Sequence, residues 1–247
     1  MAEVRVFSDL QALSTAAAAA LTEVARVALR DGDRFSLTLA GGSTPRRLYE
    51  VLAADYAGAI PWQKVHVFWG DERFVPPSDP ASNQRLAREA LLDHVSVRPS
   101  QTHPFPTDLP DAESAAKAYE NKLREVFAGE CPRFDLILLG LGEDGHTASL
   151  FPGSAALAER RRWVTVGEAP TEPRARLTLT LPVLNQAARV WFLVSGGSKR
   201  EALQRALSPQ TAIAECPAAG VRPTDGELVW WVDGAAAGDS PHSLEVS

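Results

Sequence analysis

The sequence predicts an α/β protein, a mostly parallel sheet flanked by helices on both faces. Three observations carry that prediction. Strand-like runs alternate with helix-like stretches along almost the whole chain, the order that builds βαβ units. The run at 135–141 (DLILLGL) is apolar at nearly every position, as in a strand covered on both sides. Strand-like runs also pass through glycine-rich turns, GGSTP at 41–45 and SGGSK at 195–199, directly into helical sequence.

Val4–Phe7 is the first strand, and Ser8 or Asp9 can cap a helix running to about Arg30. Its apolar stretch Ala16–Leu21 is broken by Thr22 and Glu23, short of the ~20 apolar residues of a membrane span. It reads as an alanine-rich amphipathic helix. Asp31-Gly32-Asp33 is a turn, Phe35–Ala40 a strand, and a helix follows to about Ala53. Val65–Trp69 is a strand that ends in a polar loop, Gly70-Asp71-Glu72-Arg73. Pro76, Pro77 and Pro80 keep the next segment irregular, and Ser82 can cap a helix to about Asp93. Arg98–Pro110 is a proline-rich connection, and Asp111 begins a helix to about Phe127. After the central run come strands near Trp163–Gly167 and Arg176–Leu181, then a short helix at Pro182–Gln186. Arg189–Val194 is a strand leading into a helix to about Leu207, and Leu228–Val232 is the last strand. Residues 1–234 read as one domain with room for a small subdomain. Residues 235–247 are small and polar, the composition of a flexible tail.

Composition narrows the function. With 247 residues, 45% hydrophobic and 23% charged, the chain has the profile of a soluble globular protein. A net charge of −6 disfavours nucleic acid and anionic membranes as partners. An anionic substrate would need local positive charge. The two cysteines, Cys131 and Cys216, are too few for a disulfide framework and too far apart for a metal motif. The opening MAEVRVFSDL has neither the basic segment nor the apolar core of a signal peptide. The expectation is a cytoplasmic protein with reduced thiols.

Four turns carry chemistry-bearing residues. In GGSTP, Thr44 suits an N-cap and Pro45 the first helical position, and N–H groups at such a start favour phosphate. Arg46 and Arg47 then oppose the helix dipole, a conflict that a bound anion would remove. An ordinary capped helix explains the motif equally well. In SGGSKREAL, Ser198 and Glu201 match a capping box, and Lys199 and Arg200 repeat the anomaly; taken alone, a plain capped helix explains this motif better than an anion site. In GDER, Asp71 and Glu72 could be metal ligands, bases or loop-fixing acceptors, and Arg73 could grip a phosphate or carboxylate. GLGEDG at 140–145 matches the dinucleotide pattern G-x-G-x-x-G, with Glu168 ending a later strand. Against that reading, Glu143 and Asp144 would face the pyrophosphate, and Pro152-Gly153 interrupts the helix that should follow. Neither a Walker A ending nor a G-x-S-x-G elbow is present.

Of the five histidines, His66 alternates with apolar neighbours as a core residue would, and His94, His103 and His242 carry no signal. His146 alone follows a buried strand inside a glycine-rich turn. With an ordinary pKa near 6.5, a histidine there can accept and return a proton near neutrality. His146 is therefore the candidate acid/base.

Taken together, LAGGSTPRRLY (39–49), WGDERFVPPSDPASN (69–83), LGLGEDGHTASLFPG (139–153) and SGGSKREAL (195–203) resemble the 6-phosphogluconolactonase family. That family is related to the glucosamine-6-phosphate deaminases. The resemblance implies a modified Rossmann-like fold and hydrolysis of 6-phospho-D-glucono-1,5-lactone, the second step of the oxidative pentose phosphate pathway. It implies His146 as general base with Asp144 as its partner. It implies a binding set of Gly41, Gly42, Ser43, Thr44, Asp71, Arg73, Gly145 and Lys199, with Arg73 and Lys199 on the phosphate and glycine-turn amides on the oxyanion. No cofactor and no metal are implied. The only partner expected is the sugar-phosphate lactone, with the chain a monomer or weak dimer. The deaminases carry Tyr in place of Arg73, and a Glu that assists ring opening where this chain has Phe151. Lactonases often have a His near Asp79. A deaminase/isomerase and a non-catalytic sugar-phosphate sensor are the competing readings.

Overall fold

The protein's structure, a computed structural model, describes residues 2–238. Strand β1 is Glu3–Phe7 and helix α1 Leu10–Asp31, capped by Asp9, whose carboxylate accepts the Ala12 N–H at 2.8 Å. There follow β2 (Phe35–Leu39), α2 (Ser43–Asp55), β3 (Val65–Trp69), β4 (Asp71–Arg73), α3 (Asn83–Ala90) and β5 (Thr102–His103). Next are α4 (Ala112–Val126, capped by Asp111), β6 (Leu136–Leu139), α5 (Ala155–Ala158), β7 (Val164–Glu168) and β8 (Ala175–Leu179). The chain continues with α6 (Leu181–Leu184), β9 (Arg189–Val194), α7 (Arg200–Leu207), β10 (Glu227–Asp233) and α8 (Gly234–Ala237).

Seven strands form one parallel sheet in the order β1-β10-β9-β6-β2-β3-β5. Both faces are covered, because β2 and β6 are buried at every position and apolar side chains there would otherwise meet water. On one face lies α1, whose Leu13, Ala17, Ala18, Leu21 and Ala25 form a fully buried stripe at helical spacing. Residues 10–30 are long and apolar enough to cross a membrane by length and composition, but this stripe packs on the sheet and marks a core helix. Burying Leu13 and Leu21 contributes about 1.5–3 kcal/mol each.

From β2 the chain moves outward through β3 to β5; from β6 it moves the opposite way through β9 and β10. The switch point between β2 and β6 opens a crevice at their C-terminal ends, where open α/β sheets bind ligands. A second, antiparallel sheet, β4-β8-β7, borders the same end, since β4 follows β3 after the single residue Gly70.

Several expectations are corrected. GDER is not a loop: Asp71–Arg73 pairs with Thr178–Arg176 of β8. The connection at 98–110 contains a 3-10 turn, Pro99–Gln101, and the edge strand β5, which pairs with Val67 and Phe68. The helix begun by Ser82 ends at Ala90, and Leu92–His94 forms a separate 3-10 turn. Residues 235–237 belong to α8, with Ala236 and Ala237 buried, rather than to a tail. Residues 239–247 lie outside the described residues. The dinucleotide reading also fails, because GLGEDG leads into turns and no helix begins before α5.

Candidate active site

The crevice at the switch point is a cleft of about 350 Å³. Its floor is made by the ends of β2 and β6 and its walls by the turns that follow them. Two buried tyrosines fix the strand ends. Tyr49 of α2 donates to the Ala40 carbonyl at 2.8 Å and accepts the Ala40 N–H at 2.9 Å. Tyr119 of α4 does the same for Trp69, at 3.2 Å and 3.1 Å. Each phenol thus satisfies backbone groups one residue before a glycine turn, where the sheet ladder runs out.

His146 sits in the turn after β6. Its Nδ1 lies 2.6 Å from Asp144 Oδ1, and its backbone N–H donates to the same oxygen at 3.0 Å. The Phe151 ring lies 4.5 Å from the imidazole centroid-to-centroid. With edge and face both held, Nε2 is the nitrogen left for chemistry. Partial burial acts to raise the Asp144 pKa, but the hydrogen bonds from His146 outweigh it and hold the carboxyl below the usual range. The turn leaves no room to spare: a Cβ on Gly142 would lie 2.0 Å from His146 Nδ1. Gly145 adopts φ 90° and is backed by Cys216, whose Sγ would lie 2.7 Å from a Cβ there.

The acidic pair of GDER divides its work. Asp71 lines the cleft and accepts from Ser149 Oγ at 2.7 Å and Asn83 Nδ2 at 3.3 Å. Glu72 is 2% exposed and faces the start of α3, accepting the N–H groups of Asn83 and Gln84 at 2.7 Å each. It also accepts the Arg73 N–H at 2.8 Å and Ser82 Oγ at 3.2 Å. A carboxylate at a helix N-terminus meets both orphan donors and the dipole. Burial still pushes the Glu72 carboxyl up, against the pull of those N–H groups. Glu72 therefore fixes structure. Among the described residues, no group of three His, Cys, Asp or Glu side chains could hold a metal ion.

Three cations reach the cleft: Arg73 from β4, Arg176 from β8 and Lys199 from the turn before α7. Lys199 Nζ lies 3.9 Å from the mostly exposed Glu143, a pair too loose and too wet to hold it firmly.

Of the residues named from sequence, the cleft brings together Gly41, Gly42, Asp71, Arg73, Asp144, His146 and Lys199. Ser43, Thr44 and Gly145 do not line it. The start of α2 is also corrected. Its N-cap is Gly42, at φ 102° and without a side-chain cap, so Thr44 and Pro45 fall inside the first turn. The Ser198–Glu201 capping box does not form, because Gly197–Lys199 is a 3-10 turn and α7 starts at Arg200. Three amides of the His146 turn are already used: Gly142 N–H donates to the His146 carbonyl, Gly145 N–H to that of Gly142, and His146 N–H to Asp144. Asn83, Ser149 and Arg176 were missed. Asn83 could have been suspected as the first residue after a helix cap. Ser149 lies in the 139–153 motif, but its role shows only through its bond to Asp71, and Arg176 enters only through strand pairing of distant segments.

A family model described as glucosamine-6-phosphate isomerases/6-phosphogluconolactonase matches residues 8–230. The chain belongs to this family. A 6-phosphogluconolactonase from Synechocystis is 45% identical over 234 residues, covering 94% of this chain and 95% of that protein. The structure of 6-phosphogluconolactonase from Trypanosoma brucei superposes with a TM-score of 0.85 at 31% identity, over 96% of this chain and 98% of that one. A monomeric glucosamine-6-phosphate deaminase shares the fold, with a TM-score of 0.79 at 22% identity over 98% of this chain and 100% of that one. The family's mostly parallel, Rossmann-like sheet is thus the one described above.

Proposed function

We propose that this chain hydrolyses 6-phospho-D-glucono-1,5-lactone to 6-phospho-D-gluconate, with His146 as the general base. The observation that carries the reading is the pair at 2.6 Å: Asp144 occupies His146 Nδ1 inside a cleft that also holds three cations. A lactonase needs those parts, a base beside the ester carbon and positive charge for the phosphate.

Water attacks the lactone carbonyl as Nε2 takes its proton. The tetrahedral intermediate collapses, the bond from C1 to the ring oxygen breaks, and the imidazolium returns the proton to that oxygen. Asp144 keeps Nδ1 as the donor side and opposes the positive charge that forms. Arg73 and Lys199 hold the phosphate end, and the uncapped start of α2 beside Gly41 and Gly42 supplies further N–H donors. A δ-lactone is reactive enough to need no covalent intermediate. Phe151 packs on the imidazole and cannot act as the second acid that the resemblance gives the deaminases there, which disfavours that reading. Two free cysteines suit a reducing compartment, and the cytoplasm is the proposed setting.

The test is a coupled assay for 6-phosphogluconate, corrected for spontaneous hydrolysis. Rapid turnover of the phosphorylated lactone and slow turnover of gluconolactone are expected. His146→Ala should lower kcat by about 10²–10⁴-fold. Equal rates on the two lactones, or an unimpaired His146→Ala enzyme, would refute the proposal.

A further inference from the structure

Arg73 and Arg176 stand directly opposite each other in the antiparallel pair β4·β8, so their side chains leave the sheet on the same face. Both line the cleft. Arg176 is only 7% exposed. Its guanidinium donates through Nη1 to the Pro173 carbonyl, and Arg73 Nη1 donates to the Ala81 carbonyl at 2.5 Å. Among the described residues, neither has a carboxylate within 4.0 Å, and Asp71 nearby is already engaged by Ser149 and Asn83. Like charges directly across a strand pair repel, and a buried cation without a counter-ion is costly. Burial, and then the charge of Arg73, push the Arg176 pKa down; the more distant carboxylates Asp71, Glu72 and Glu172 offset this only in part. Each guanidinium has five N–H donors in a planar fork, and most remain unused here.

We propose that Arg176 joins Arg73 in a two-guanidinium clamp on the substrate's phosphate, and that this clamp selects phosphorylated lactones. The inference rests on the lactonase reading and deepens it: the cation that sets phosphate affinity is the buried Arg176, with Lys199 in support. A phosphate dianion fits because it presents several acceptor oxygens to two planar forks and cancels the repulsion between them.

The test compares Arg176→Gln and Arg176→Lys with wild type in the full chain. Steady-state kinetics are run on the phosphorylated lactone and on gluconolactone, and thermal melts with and without 6-phosphogluconate or inorganic phosphate. Arg176→Gln should raise KM for the phosphorylated lactone by about 10- to 100-fold. It should leave kcat within about threefold, leave gluconolactone hydrolysis unchanged, and abolish the rise in Tm caused by 6-phosphogluconate. Arg176→Lys keeps the charge but not the fork and should fall between; it carries the test if the Gln variant does not fold. An unchanged KM, or an equal loss on both lactones, overturns the clamp. If wild type hydrolyses neither lactone, the lactonase reading falls alone. Loss of the Tm rise in Arg176→Gln would then still support an anion clamp, and its persistence would overturn it.

Discussion

Adding one methyl group to the His146 turn should disable catalysis while leaving the fold and the phosphate grip in place. A Cβ on Gly142 would lie 2.0 Å from His146 Nδ1, 2.3 Å from Cε1 and 2.5 Å from Asp144 Oδ1. Reaching an ordinary contact of about 3.4 Å requires the ring to retreat by about 1.4 Å. The ring cannot tilt away freely, because Phe151 lies against its face and Asp144 holds its edge. The motion therefore breaks the Nδ1–Asp144 bond or displaces Nε2 from the cleft. A misplacement of about 1 Å costs on the order of 10²-fold in rate. Gly142→Ala should thus lower kcat at least 100-fold with KM changed by no more than a few-fold. Gly142 is not among the glycines with positive φ, so its backbone accepts alanine, and the cost falls on the displaced ring: about 1–3 kcal/mol, with the enzyme still folded. The assay is 6-phosphogluconate formation under saturating lactone, with 6-phosphogluconate affinity measured separately by calorimetry. A Gly142→Ala enzyme with kcat within threefold of wild type would refute the assignment of His146.

Two other predictions concern stability. His66 Nδ1 and His103 Nε2 lie 3.1 Å apart at the sheet edge, with His103 stacked on Phe68 and with Lys122 and Arg34 near enough to disfavour charge. Burial first, then His66 and after it Lys122 and Arg34, push His103 down to about 4, and burial lowers His66 as well. Both folded values lie below the unfolded one of about 6.5, so the unfolded chain takes up protons first as pH falls. This contribution is therefore complete above about pH 6.5 and is lost from there toward pH 4. Urea unfolding at pH 7.5 and pH 5 should differ by about 1–2 kcal/mol from His103 alone, and His103→Phe should flatten that acid limb; an unaltered slope would contradict it. Glu72→Gln should cost about 3 kcal/mol in urea unfolding, because an amide N–H₂ would face the donors at the start of α3. A loss under 1 kcal/mol would mean that α3 does not depend on this carboxylate.

What could be read from the sequence follows from how locally each feature is determined. The strands Val65–Trp69 and Arg189–Val194 match their sequence bounds because so largely apolar a run, rich in Val and aromatic residues, has no other stable place than a covered sheet. Strands β4 and β5 escaped because Asp71–Arg73 and Thr102–His103 are short and polar, and only pairing with distant β8 and β3 makes them strands. The cap choice at α2 failed because Thr44 is the better cap by composition, whereas Gly42, by accepting a positive φ, starts the helix two residues earlier. His146 and Asp144 were legible together because their contact spans two residues within one glycine turn. Arg176 was not, because its place beside Arg73 depends on strand register across a hundred residues of chain.

The two halves of the site rest on different supports, and this has a kinetic consequence. The His146 turn is buttressed by the segment before β10: Ala218 N–H donates to the Gly145 carbonyl at 3.0 Å, Gly153 N–H donates to Ala214 at 2.9 Å, and Cys216 fills the space behind Gly145. Arg73 and Arg176 instead stand on the small antiparallel sheet, which Glu72 ties to α3. Substitutions behind the turn move the base without moving the cations, so they should act on kcat. Substitutions in β4, β8 or the start of α3 move the cations first, so they should act on KM. Ser149 joins the two supports: its Oγ donates to Asp71 of β4 at 2.7 Å and its backbone N–H to Thr178 Oγ1 of β8 at 3.3 Å. Coupling between chemistry and phosphate binding runs through these two bonds, and Ser149 is where a single substitution should disturb both constants together.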